Sequence, residues 1–152
     1  MVFDVKPVVS TVPYDCGAVC LKMLLDYYGT EVDLETLSKD CNITVGGCTG
    51  KDIMIAGRKY GLDMKAWAEK GAKIVPDPSA KTIDVDTLKE DRAAIIWWKY
   101  NHFCVLCGVD DETGKVVICN PNRGRYSISK SLFNAFYTKV SITNGEPKEL
   151  SE

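Results

Sequence analysis

Residues 14–29 read YDCGAVCLKMLLDYYG. Apolar side chains in this stretch recur at the spacing of one helix face and continue onto a second face, which is typical of a helix buried on more than one side. These side chains are Cys16, Val19, Cys20, Met23, Leu24 and Tyr27, with Leu21, Leu25 and Tyr28 on the second face. Asp15 is a favourable N-cap and Gly29 a favourable end, so the sequence predicts a buried helix from about Cys16 to Tyr28.

Cys16 occupies the first turn of this predicted helix. The backbone N–H groups of a first turn and the helix dipole favour negative charge, so they favour a thiolate over a thiol. We therefore expect Cys16 to alkylate well below the usual cysteine pKa of about 8.5. The alternative is that Cys16 is a small core residue, and this alternative suits Cys20, one turn further along the helix, better.

The composition is that of a globular chain without a strong charge bias. The 152 residues are 45% hydrophobic and 26% charged, and the formal net charge is −2. This balance gives no reason to expect nucleic acid as a partner, and no apolar run is long enough for a transmembrane helix. We expect one domain over residues 1–152, with a flexible polar tail at 144–152. Seven cysteines without a signal peptide predict reduced thiols and a cytoplasmic chain.

Helical patterns come first along the chain, and strand patterns follow them. Helices after the first are expected near residues 33–39, 49–60, 84–91 and 129–136. Strands are expected near residues 62–68, 93–98, 103–109, 115–119, 126–128 and 138–143, with an irregular connection at 71–81. This order predicts an α+β fold in which N-terminal helices pack on a C-terminal antiparallel sheet.

His102 is the single histidine and directly precedes the predicted strand 103–109. A lone histidine is more often structural or exposed, but a nucleophilic cysteine needs a base that takes its proton and later returns a proton to the leaving amine. A third group must then orient the imidazole. Asn120 ends the antiparallel neighbouring strand at the same edge of the sheet, so we favour it. Asp110 and Asp111 are alternatives, although the hairpin puts them at the opposite edge.

Several stretches together resemble the papain-like peptidases that process bacteriocin leaders. They are DCG at 15–17 with CLKM at 20–23 and YYG at 27–29, then GKDI at 50–53 and RKYGL at 58–62, then NHFCVL at 101–106 and VICNP at 117–121 with RG at 123–124. The resemblance implies a papain-like fold with Cys16 as nucleophile, His102 as base and Asn120 at the third triad position, where the family usually has Asp.

The same resemblance implies what this domain acts on. In the family the domain usually forms the N-terminal part of an ABC transporter and cuts after a double glycine. It therefore implies a leader peptide as the substrate, and a transporter or another membrane protein as a partner.

Ser10 is the main departure from the family pattern. The family has a glutamine at this position, six residues before the nucleophile, and its amide forms the oxyanion hole with the backbone N–H of the cysteine. Loss of one oxyanion donor typically costs ~10²–10³ in turnover. Two hypotheses therefore stand: a cysteine peptidase with a Cys16–His102–Asn120 triad, or a catalytically weak or inactive peptidase-like domain that binds a peptide or a partner protein.

The sequence predicts neither a cofactor nor a metal site. Cys104 and Cys107 have the spacing of a zinc knuckle, but residues three apart on a strand point to opposite faces of the sheet. Cys41 and Cys48 flank a loop and are expected to pair only under oxidising conditions.

Overall fold

The structure is a computed structural model that describes residues 1–74 and 78–147. Its elements, in chain order, are α1 (Cys16–Tyr27), α2 (Leu34–Asp40), α3 (Gly50–Lys59), β1 (Met64–Ala68), β2 (Lys81–Thr82), α4 (Val85–Asp91), β3 (Ala94–Trp98), β4 (His102–Val109), β5 (Val116–Asn120), β6 (Gly124–Ile128), α5 (Lys130–Phe136) and β7 (Tyr137–Asn144). The predicted α+β class is confirmed. Part of the predicted irregular connection, residues 75–77, lies outside the described residues, as does the predicted tail from residue 148 onward.

The strands form a sheet in the order β2-β1-β7-β3-β4-β5-β6. Every neighbouring pair is antiparallel except β1 and β2, which are parallel at one edge. β2 was not predicted from the sequence, because its two exposed residues carry no hydrophobic pattern. β7 follows all the other elements in the chain but lies between β1 and β3 in the sheet.

Helices cover both faces of the sheet. On one face α1 packs mainly against β4, with α2 and α3 beside it, and nine of the twelve residues of α1 are buried. On the other face Leu88 of α4 and Phe133 of α5 pack in a second cluster with Trp98. Successive residues of β4 belong alternately to the core cluster on the α1 face and to this second cluster. Cys104 and Cys107 therefore lie on opposite faces of the sheet, as predicted.

Side-chain caps begin four of the five described helices. Asp33, Asp84 and Ser129 each accept a hydrogen bond from a backbone N–H in the first turn of the helix that follows. Thr49 and Asp52 form a complete capping box at the start of α3. A cap of this kind contributes about 1 kcal/mol, and it fixes where each helix starts.

Candidate active site

One edge of the sheet brings together the three predicted catalytic positions. His102 is the first residue of β4, and Asn120 is the last residue of the neighbouring antiparallel strand β5. Cys16 is the first residue of α1, which packs on β4. The chain thus places an imidazole, an amide and a thiol at the ends of elements that are in mutual contact.

A hydrogen bond joins His102 to Asn120, and its surroundings fix the protonation of the imidazole. His102 Nε2 lies 2.8 Å from Asn120 Oδ1, which also accepts the backbone N–H of Asn122 at 2.9 Å. Asn120 Nδ2 donates to the hydroxyl of Tyr126 at 3.2 Å. Because a backbone N–H can only donate, the atom facing Nε2 is the carbonyl oxygen, and Nε2 must donate its proton to it. Nδ1 therefore keeps its lone pair and is the basic nitrogen.

Burial lowers the pKa of His102 below its ordinary value. The hydrogen bond to Asn120 raises this pKa by a smaller amount, and the positive charge of Lys99 lowers it further. An amide carries no charge that would stabilise an imidazolium. The imidazole is therefore neutral at pH 7, as a general base must be before it accepts a proton.

Cys16 is 9% exposed, and burial raises the pKa of its thiol. Hydrogen bonds from the backbone N–H groups of Phe103 and Gly17 lower the pKa by less than burial raises it. The structure thus departs from the expectation that Cys16 alkylates well below pH 8.5, because burial raises the pKa of the thiol by more than the backbone N–H groups lower it.

The candidate base and a residue that acts on the thiol are adjacent in β4. Phe103, whose backbone N–H acts on the thiol, directly follows His102. Within the part of the chain that the structure describes, no hydrogen bond joins the thiol to the imidazole. The resting site thus pairs a neutral thiol with a neutral imidazole.

Two cavities meet at Asn101, which lines both of them. The smaller one, of about 270 Å³, is lined by Cys16 together with Gly47, Cys48 and Trp97 among others. The larger one, of about 550 Å³, is lined by His102 and Asn120 but not by Cys16. Asn101 thus separates the cavity on the thiol side from the cavity on the imidazole side.

Asp15 does not cap α1 with its side chain, contrary to the prediction. Its carboxylate instead accepts the backbone N–H of Thr11 at 3.2 Å and the Thr11 hydroxyl at 3.0 Å. This contact closes the turn that leads into Cys16. It also leaves the first turn of α1 without a side-chain cap, and the N–H of Gly17 acts on the Cys16 thiol instead.

Ser10 lies beside the turn that follows Asn120, since its backbone N–H donates to the carbonyl of Pro121 at 2.8 Å. Its hydroxyl oxygen is buried and has no hydrogen-bond partner among residues 1–74 and 78–147. The hydroxyl therefore has a proton to offer near the site. Its predicted place at the oxyanion position stays a prediction.

Three more residues support the site, and sequence reasoning missed two of them, Asn122 and Tyr126. Asn122 and Tyr126 fix the amide of Asn120, and the only sequence signal for them was the turn at 120–124. Gly17 is needed because a Cβ there would lie 2.5 Å from Cys48 Sγ. Because glycine has no Cβ, the 42–48 loop can approach α1 closely.

The fold is that of the papain-like peptidase domains. At 26% identity, the chain superposes with a TM-score of 0.78 on the crystal structure of a double glycine motif protease from an AMS/PCAT transporter in complex with the leader peptide, over 93% of this chain and 91% of that one. The peptidase domain of Streptococcus ComA shares the fold at a TM-score of 0.75 and 18% identity, over 91% of this chain and 96% of that one.

The chain belongs to the peptidase C39 family, whose sequence profile matches residues 4–149. Among curated relatives, it is 25% identical over 129 residues to the colicin V secretion/processing ATP-binding protein CvaB of Escherichia coli. It is 27% identical over 135 residues to the lactococcin-G-processing and transport ATP-binding protein LagD of Lactococcus lactis. Each match covers 84% of this chain, which spans only 16–17% of the length of these relatives.

None of the helices that the structure describes is long and apolar enough to span a bilayer. The described residues contain no group of three or more His, Cys, Asp or Glu side chains that could hold a metal ion.

Proposed function

We propose that this chain is a cysteine peptidase domain that hydrolyses a peptide bond after a double-glycine leader. Cys16 is the nucleophile, His102 the general base and Asn120 the group that orients the imidazole. The observation that carries the proposal is the hydrogen bond from His102 Nε2 to Asn120 Oδ1, with the amide fixed from both sides. This hydrogen bond leaves Nδ1 of His102 as the base. The proposed nucleophile, Cys16, lies at a helix terminus, and the chain belongs to a family of peptidases.

Because the Cys16 thiol and the His102 imidazole are both neutral at rest, the proton moves during the attack and not before it. As Cys16 Sγ attacks the carbonyl carbon of the scissile bond, its proton passes to His102 Nδ1. The tetrahedral intermediate collapses to a thioester, and the leaving amine receives the proton from Nδ1. Water then attacks the thioester, with Nδ1 again accepting the proton. The bond between Cys16 Sγ and the acyl carbon breaks, the sulfur takes the proton back from Nδ1, and the acyl product leaves as a carboxylic acid.

The oxyanion of the intermediate needs donors that do not move. The uncapped N–H groups at the start of α1 are such donors, because backbone groups of a packed helix are fixed in advance. The buried hydroxyl of Ser10 is the candidate for the second donor. A hydroxyl reaches less far than the glutamine amide of the family, so we expect slow turnover.

Ser10 also favours a second candidate function, a peptidase-like domain that binds a peptide or a partner without cutting it. A site that lacks one strong oxyanion donor retains its peptide contacts while it loses ~10²–10³ in turnover. The two functions differ only in whether the bound peptide is cleaved.

We further propose that the partner is a leader peptide delivered to a transporter, as the names of the ATP-binding relatives suggest for those proteins. All seven cysteines are free thiols in the structure, and a reducing compartment such as the cytoplasm keeps a nucleophilic thiol active. We treat residues 1–152 as one peptidase domain.

The test is a cleavage assay on synthetic peptides that carry Gly-Gly before the intended cut, with the products sized by mass spectrometry. Wild-type protein should cut after Gly-Gly, and Cys16→Ala should not. Cys41→Ala, which removes a buried thiol at the end of α2, is the matched control and should retain the activity. If wild type and Cys16→Ala both bind the peptide and neither cuts it, the peptidase proposal fails and the binding function stands.

A further inference from the structure

The larger cavity at the site has an unusual charge. Its lining includes Lys99 and Arg123 together with His102, and no Asp or Glu is among the described residues that line it. The whole chain has 21 acidic and 19 basic residues, so a wall with two cations and no acid departs from the average surface. We call this space, of about 550 Å³, the cationic cavity.

Neither cation is neutralised by an acidic side chain in the part of the chain that the structure describes. Within residues 1–74 and 78–147, no ion pair involves Lys99 or Arg123. Lys99 Nζ instead lies 4.2 Å from the ring centroid of Phe136, and the guanidinium carbon of Arg123 lies 4.1 Å from that of Tyr126. An aromatic face attracts a cation but leaves its hydrogen-bond donors and most of its charge free for an anion.

The backbone holds both cations in place next to the candidate triad. The N–H of Lys99 donates to the carbonyl of Phe136 at 2.9 Å, and Lys99 has φ +54°, in the left-handed region. The N–H of Arg123 donates to the carbonyl of Asn120 at 2.9 Å. Lys99 is three residues before His102, and its charge lowers the pKa of the imidazole, so it is close enough to act at the site.

The chemistry decides which part of a substrate enters this cavity. The acyl part stays on Cys16, whereas the leaving amine must lie next to the imidazole that returns its proton. The cationic cavity is lined by His102 and not by Cys16, and the smaller cavity has the reverse lining. The cationic cavity is therefore on the leaving-group side of the scissile bond.

We propose that the cationic cavity binds a carboxylate on the leaving-group side of the substrate, held by Lys99 and Arg123. A guanidinium matches a carboxylate with two parallel hydrogen bonds, and an ammonium adds a point charge. The carboxylate is either an acidic side chain just after the cut or the free C-terminus of a short leaving segment. This inference rests on the peptidase function proposed above.

The first experiment compares matched substrates. Each peptide has the same Gly-Gly segment before the cut, and Asp, Asn or Lys at the first and second positions after it. We expect kcat/KM for the Asp peptides to exceed that for the Asn peptides by about three- to fivefold per favourable pair, mostly through KM, and the preference to weaken as salt is added. Short substrates with a free or an amidated C-terminus distinguish the terminal carboxylate from an acidic side chain.

The second experiment changes the protein. Lys99→Gln combined with Arg123→Gln should remove the preference for Asp peptides, measured as the ratio of kcat/KM for the Asp and Asn peptides cut by the same variant. Lys99→Glu should favour the Lys peptides. Lys115→Gln is the matched control, because it removes an exposed positive charge at the opposite end of β5. It should leave the preference unchanged.

Two results would overturn the inference without touching the peptidase proposal. One is equal cleavage of the Asp, Asn and Lys peptides by wild type, and the other is a preference that survives the double substitution. If no peptide is cut at all, the peptidase proposal fails, and fluorescence anisotropy with labelled leaving segments then tests the cavity alone. Equal binding of Asp and Asn segments to wild type would then refute the inference.

Discussion

Asn120→Asp tests whether the imidazole and the thiol act as one unit. The substitution puts a negative charge where a neutral oxygen now lies 2.8 Å from His102 Nε2. For charge centres about 4 Å apart, the Coulomb attraction is about 4 kcal/mol at an effective dielectric constant of 20. His102 is only half-buried, so solvent reduces this attraction, and we expect its pKa to rise by about 1–2 units, equivalent to about 1.4–2.7 kcal/mol.

The expected rise in the pKa of His102 sets the direction in which the pKa of Cys16 changes. A more stable imidazolium favours the thiolate beside it, so the pH midpoint for alkylation of Cys16 should fall in Asn120→Asp. The wild-type midpoint should lie above the ordinary cysteine value, because burial raises the pKa of Cys16. The assay is timed alkylation with iodoacetamide across a pH series, followed by mass spectrometry of the peptide that contains Cys16. Cys20 in the same peptide is fully buried and serves as an internal reference.

Two controls isolate the imidazole in this experiment. In a His102→Ala background the new carboxylate acts directly on the thiol and should raise the midpoint instead of lowering it. Asn122→Asp adds the same charge at an exposed position on the same turn and should shift the midpoint much less. A midpoint that does not move in Asn120→Asp, or that moves upward with His102 present, would refute the coupling between His102 and Cys16.

Three further predictions concern the oxyanion donor and the packing around the nucleophile helix. Ser10→Gln should raise kcat, by up to ~10²-fold, with little change in KM, because an oxyanion donor acts only in the transition state. Gly17→Ala should lower the free energy of unfolding by about 1–3 kcal/mol in urea titrations, since the new Cβ would lie 2.5 Å from Cys48 Sγ, and Cys48→Ala should restore much of the loss. Thr49→Ala should cost about 1 kcal/mol, a fall of ~2–4 °C in melting temperature, without changing KM.

Each of these predictions has an outcome that contradicts it. An unchanged kcat in Ser10→Gln, with measurable wild-type activity, would mean that another donor already fills the oxyanion hole. A Gly17→Ala protein as stable as wild type would show that Cys48 moves away at no cost. If Thr49→Ala changes KM as strongly as it changes stability, the start of α3 contributes directly to substrate binding.

Local interactions were the part of the fold that the sequence predicted well. Asp33, Thr49, Asp84 and Ser129 cap helices that lie where the sequence predicts them, because a cap needs only a side chain and an N–H two or three residues later. The apolar run at 93–98 likewise predicts β3 without knowledge of its neighbours, since a strand buried on both faces is apolar throughout.

Interactions across the chain were harder to predict. Asp15 is a local exception, because its carboxylate accepts hydrogen bonds from Thr11, four residues earlier, and does not cap α1. The helix dipole at Cys16 is visible in the sequence, whereas the burial that outweighs it depends on β4, nearly ninety residues later. The antiparallel hairpin predicted that His102 and Asn120 lie at one edge of the sheet, and in the structure a hydrogen bond joins them. Their catalytic roles stay predictions.

The position of β7 has a consequence for protein synthesis. β1 and β3 meet only through β7, so a nascent chain that stops before residue 137 has two separate sheet fragments with open edges. An open edge as apolar as that of β3 invites pairing with other chains, so the ribosome-bound intermediate is the state most exposed to aggregation.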